Sequence, residues 1–85
     1  MKATEQPRVA QLIRETRHCL NLSQVQFALK LGVSFQSVNR WENGRTRPLP
    51  LALNQIKQLL HQMSTSPEPT LQQRSRDLLA QYFSD

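Results

Sequence analysis

An all-α domain of four to five short helices is the fold that the sequence predicts, and three observations predict it. Apolar side chains recur at spacings of three and four, the period of a helix with one buried face. No stretch alternates apolar with polar residues, and no Asn-Gly turn joins two β-branched runs, so strand signals are missing. The two glycines, Gly32 and Gly44, both fall where helices should stop.

The first helix is expected over Pro7–Leu20, with Val9, Leu12, Ile13, Thr16 and Leu20 as its inward stripe. Ser23-Gln24-Val25-Gln26 has the form of a capping box and starts a second helix, whose Phe27, Ala28 and Leu31 turn inward before Gly32 closes it. Ser34 caps a third helix running to Asn43, with Val38 and Trp41 on its buried side. Gly44 ends it, and Pro48 and Pro50 keep it from resuming. A fourth helix is expected over Leu51–Met63, burying Leu53, Ile56, Leu59 and Leu60. After a small-polar stretch, Ser66-Pro67-Glu68 reads as the cap and first turn of a fifth helix. Its residues Leu71, Leu78, Leu79, Tyr82 and Phe83 share one side. The expected organisation is a flexible segment 1–6, a folded domain 7–63, and a linker with an amphipathic helix over 64–85.

A chain of 85 residues buries only about 60% of its unfolded surface, which leaves room for one small core and no deep substrate cavity. Eleven basic against six acidic side chains give a net charge of +5, unevenly placed. Residues 1–66 hold nine basic and three acidic groups, whereas residues 67–85 hold two and three. A basic body with a near-neutral tail suits a polyanionic partner, although charge alone fits a plain soluble domain equally well. No apolar run approaches the ~18 residues of a membrane span. Met1–Pro7 has no secretory-type hydrophobic segment, and the single Cys19 offers no internal disulfide, so a cytoplasmic protein is expected.

The most informative feature is the pair of short helices around Gly32-Val33. A methyl side chain at Ala28 lets the following helix approach closely, and the glycine allows the reversal. That is the requirement of a helix-turn-helix over about 23–43, whose second helix projects into the DNA major groove. In an ordered set over Ile13–Leu60, the sequence resembles the phage-repressor (Cro/repressor) type of helix-turn-helix domain. The set is Arg17, Leu22-Ser23-Gln24, Phe27-Ala28, Leu31-Gly32-Val33-Ser34, Val38 and Trp41-Glu42-Asn43-Gly44-Arg45-Thr46-Arg47-Pro48. Val38-Asn39-Arg40-Trp41-Glu42 is also similar to antitoxin-type members. One departure stands at Leu49-Pro50, where family members often carry a serine or threonine cap.

With Val38 and Trp41 inside, the rotation of the helix turns Phe35, Gln36, Asn39 and Arg40 outward. Gln and Asn can bond an adenine edge with two hydrogen bonds, and Arg a guanine edge. Phe35 can meet a thymine methyl or pack against a neighbouring loop. The expected phosphate contacts are Gln24, Ser34, Ser37, Asn43, Arg45 and Arg47, with free backbone donors after the third helix assisting the arginines. The resemblance implies the phosphate contact of Gln24 and its bridge to Gln36. It also implies a partly buried ion pair between Arg17 and Glu42, structural rather than DNA-contacting.

No catalytic group, metal or cofactor is expected. His18 and His61 are isolated from other ligands, no serine or cysteine has a nearby base, and no glycine-rich phosphate loop is present. The resemblance implies a bacterial or phage transcriptional regulator, a repressor that binds double-stranded DNA as a homodimer. An antitoxin that controls its own operon and a protein-interaction module without DNA binding are the rival readings. Leu71–Phe83 can fold back on the domain, form a dimer interface through Leu71, Leu78, Leu79, Tyr82 and Phe83, or dock a protein partner.

Overall fold

Residues 6–83 are those that the computed structural model describes, and they form five helices: α1 Gln6–Cys19, α2 Gln24–Leu31, α3 Phe35–Glu42, α4 Pro50–Met63 and α5 Pro69–Phe83. No strand occurs among the described residues. Of the segment expected to be flexible, residues 1–5 lie outside the described residues, and Gln6 already belongs to α1.

One backbone device ends each of the first three helices. After α2, Gly32 takes φ 73°, and the amides of Gly32 and Val33 bond back to the carbonyls of Leu29 and Ala28 at 3.2 and 3.0 Å. These are the two reverse bonds of a Schellman motif, which needs a left-handed residue at its centre. Gly44 does the same after α3, with φ 71° and bonds from Gly44 and Arg45 to Trp41 and Arg40. Asn21 does it after α1, at φ 57°. Asparagine tolerates this conformation better than other residues with a side chain.

The helix starts are set by side chains. Ser23 and Gln26 complete the capping box of α2, and Ser34 caps α3 through the amide of Ser37. At α4 the departure from the family pattern has a visible outcome. Leu49 caps without a side-chain bond, and Pro50 opens the helix one residue earlier than expected, its ring already holding a helical φ. α5 begins at Pro69, three residues after Ser66. The Ser66 hydroxyl only accepts the Glu68 amide, while the Glu68 carboxylate accepts the amides of Thr70 and Leu71 at 3.0 and 2.9 Å. A carboxylate facing the positive end of a helix displaces a hydroxyl as cap.

Four helices meet in one core. Ile13, Phe27, Val38, Ile56 and Leu60 have no solvent exposure, and Ala28 and Trp41 pack with them. In α4 the earlier start buries Ala52, while the expected core residue Leu53 is only partly buried; Leu20 likewise lies at the margin. α5 packs on α1 and α4 and adds Leu78 and Tyr82 to the same core. Of the three roles open to α5, folding back on the domain is the one seen: Leu78 at 5% and Tyr82 at 3% exposure are buried within the chain, with Leu79 and Phe83 packed beside them. Leu71 is half-buried.

A polar latch completes the docking of α5. The Tyr82 hydroxyl donates to Glu15 Oε1 at 2.8 Å, the Arg8 guanidinium lies 4.9 Å from the ring centre, and Arg8 also donates to the Gln81 carbonyl. Burial first, then the bond to Glu15 and its charge, push the Tyr82 phenol up to about 12; Arg8 and Arg14 oppose the shift. Cys19 is half-buried near Arg74, and burial raises its thiol above the ordinary value, the reverse of what a reactive thiolate needs.

Candidate nucleic-acid interface

The inward face of α3 carries Val38, Trp41 and Glu42, all buried, with Trp41 at 7% exposure. A helix turns about 100° per residue, so Gln36 and Arg40 stand about 160° from Val38 and Asn39 about 100° from it. The side chains follow that rotation. Gln36 and Arg40 are exposed, Phe35 keeps 46% of its surface in solvent, and Asn39 is half-buried on the flank that faces α2. The loop directly after α3 carries the exposed Arg45, Thr46 and Arg47.

Beneath this face lies the expected ion pair. Arg17 Nε donates to Glu42 Oε2 at 2.6 Å and its Nη2 to Oε1 at 3.0 Å, a two-bond match of guanidinium and carboxylate. Arg17 Nη1 donates to the Leu22 carbonyl at 3.0 Å, and Arg14 donates to the backbone carbonyl of Glu42. Helix α1 thereby grips the last turn of α3 with two arginines, of which the sequence indicated one. Arg14 gave no signal of this role, because an exposed helical arginine reads as a solubilising charge.

The bridge from Gln24 to Gln36 is not formed, because α2 crosses α3 so that Gln24 meets it one turn further on, at Asn39 and Glu42. Gln24 Nε2 donates to Glu42 Oε1 at 3.1 Å, and its Oε1 accepts from Asn39 Nδ2 at 3.2 Å. Asn39 Oδ1 in turn accepts from Asn43 Nδ2 at 3.1 Å. A second correction concerns the loop after α3. The backbone amides of Asn43, Gly44 and Arg45 bond to the carbonyls of Asn39, Trp41 and Arg40, so closing the helix takes three of the loop's backbone donors. Ser34 and Ser37 share a hydroxyl–hydroxyl bond of 2.9 Å at the start of α3 while Ser34 accepts the Ser37 amide; one hydroxyl hydrogen of the pair remains to donate outward.

A family model described as helix-turn-helix matches residues 13–61, more than half of the chain. The chain belongs to the helix-turn-helix family, of the phage-repressor (Cro/repressor) type. Comparison with curated proteins and with solved structures gives no match.

As a helix-turn-helix protein it is a DNA-binding regulator of transcription. The family match contains every residue placed at the interface, from Arg17 to Arg47, and stops before α5. In the helix-turn-helix itself, α2 lies across α3 with Ala28 at 3% exposure beside the turn, the small side chain that close approach requires. Among the described residues no helix is long and apolar enough to cross a membrane, and no group of His, Cys, Asp and Glu could hold a metal ion.

Proposed function

We propose that the protein binds double-stranded DNA sequence-specifically and represses transcription, with α3 lying in the major groove. The observation that carries this reading is the display of Phe35, Gln36, Asn39 and Arg40 on a helix whose opposite face is locked by Val38, Trp41 and Glu42. Gln36 and Asn39 suit adenine edges, Arg40 a guanine, and the Phe35 ring a thymine methyl. Arg45 and Arg47, with Gln24 and the Ser34–Ser37 hydroxyl pair, hold phosphates and set the register of the helix. An eight-residue helix reads only a few base pairs, which supports use as a homodimer on two half-sites about 34 Å apart. The family and the basic body of the chain support a cytoplasmic place on the nucleoid. α5 spends most of its apolar side on its own domain, which weighs against the antitoxin reading.

Selection of bound duplexes from a random pool tests the proposal. A partly palindromic consensus with two half-sites one helical turn apart is the expected result. Absence of any salt-sensitive duplex binding would favour an interaction module that has kept the fold.

A further inference from the structure

The five hydrogen bonds from Arg17 to Asn43 form one directed chain, and its direction is imposed from the buried end. An ionised carboxylate only accepts hydrogen bonds. Glu42 therefore obliges Gln24 to present its amino group inward, which leaves the Gln24 carbonyl facing α3. That carbonyl obliges Asn39 to present Nδ2, which leaves Asn39 Oδ1 on the far side, where it accepts from Asn43. With Arg17 pinning the carboxylate through both oxygens, neither amide can flip by half a turn without setting acceptor against acceptor.

We infer that the Arg17–Glu42 pair, acting through Gln24, determines base specificity by fixing the donor and acceptor sense of the Asn39 amide. Asn39 spends one N–H on Gln24 and one lone pair on Asn43, and keeps one donor and one acceptor. That remainder is the pair that adenine N7 and N6 require, presented in a single orientation. Gln24 is thus a positioning residue for base reading as well as a phosphate contact. An unbuttressed Asn39 offers both senses and discriminates less between base pairs. The inference rests on the proposed major-groove reading by α3.

The test is a duplex selection with the full chain as wild type, Gln24→Met, Asn39→Ala and the double variant. Methionine keeps the length and apolar stem of Gln24 but can neither donate to Glu42 nor accept from Asn39 strongly. For Gln24→Met, the preference at the base pair that Asn39→Ala identifies should fall by about tenfold, the order of one two-bond contact. Preferences at the pairs read by Gln36 and Arg40 should persist. In the Asn39→Ala background, Gln24→Met should cause no further change of preference at that pair. A uniform loss of affinity with unchanged preferences would mean that Gln24 only holds a phosphate, and would overturn the inference while leaving the groove reading intact. Additive effects in the double variant would overturn it as well. Wild-type protein that selects no sequence would remove the proposed function and the inference with it.

Discussion

Replacing Arg17 by alanine isolates the energetic weight of the contact beneath the interface. The Glu42 side chain is 5% exposed and that of Arg17 16%, so the carboxylate is the more deeply buried partner. Without Arg17 it loses the donors at 2.6 and 3.0 Å and retains the Gln24 amide at 3.1 Å, while the Leu22 carbonyl also loses its partner. Stranding one member of a buried pair costs about 3–5 kcal/mol. In a domain of this size, 1 kcal/mol moves the melting point by about 4–8 °C, so the loss should exceed roughly 12 °C. Thermal unfolding followed by far-UV circular dichroism measures it. The mechanism makes a sharper demand on a cycle: the double variant Arg17→Met with Glu42→Leu should be more stable than the sum of its single variants, because it leaves no charge buried alone. A shift of only a degree or two for Arg17→Ala, or additive losses in the cycle, would refute the reasoning.

Three further outcomes are expected. Replacing Arg40, Arg45 and Arg47 together by alanine should abolish duplex binding and leave the helical circular dichroism intact, and losing Arg45 and Arg47 alone should flatten the salt slope of binding by about two; electrophoretic mobility shift at several salt concentrations reads both. Thr16 has no exposure and its hydroxyl no partner, so Thr16→Val should raise stability by about 1 kcal/mol, visible as a higher denaturant midpoint with an unchanged slope. Tyr82 ionises near 12 in the folded chain against an ordinary 10.0, so its contribution to stability is fully present below pH 10 and is lost as pH rises towards 12, since only the unfolded state releases the proton in that interval. Tyr82 is the single tyrosine, so its tyrosinate absorbance reports that titration directly, and Tyr82→Phe should remove this component of the alkaline loss in denaturant titrations at successive pH values.

The helices were legible because each carries its own punctuation. Ser23 with Gln26, Ser34, Gly32 and Gly44 act within a few residues of themselves, and a local signal survives in a linear string. The same holds for the rotation that put Trp41 inside and Gln36 and Arg40 outside. The left-handed turn at Asn21 was not marked, because asparagine is common at many other places. At the start of α5 two caps competed two residues apart, and only the geometry decides for Glu68 over Ser66. The partners of Gln24 were misread for a different reason. A glutamine at the start of α2 reaches several positions on α3, and which one it meets depends on how the two helices cross. Arg8, Arg14 and Glu15 lie further beyond reach, since their partners are 28 to 73 residues away.

What the structure adds is a reason for so many polar contacts under an eight-residue helix. Two turns offer few apolar anchors: Val38 and Trp41 lie on one side, and more apolar surface would consume positions that must face solvent. Apolar contacts are non-directional and tolerate small rotations of a short rod about its own axis. Hydrogen bonds are not tolerant, and distance and angle together confine each donor to a narrow cone. Arg17 and Arg14 on the last turn and Gln24 on Asn39 act at the end and the flank of α3, where they resist the rotation and tilt that hydrophobic packing leaves open. A helix that only had to be stable could do without them, because apolar replacements of a buried pair are often neutral or stabilising. A helix that must hold a fixed azimuth over a groove has a use for each bond.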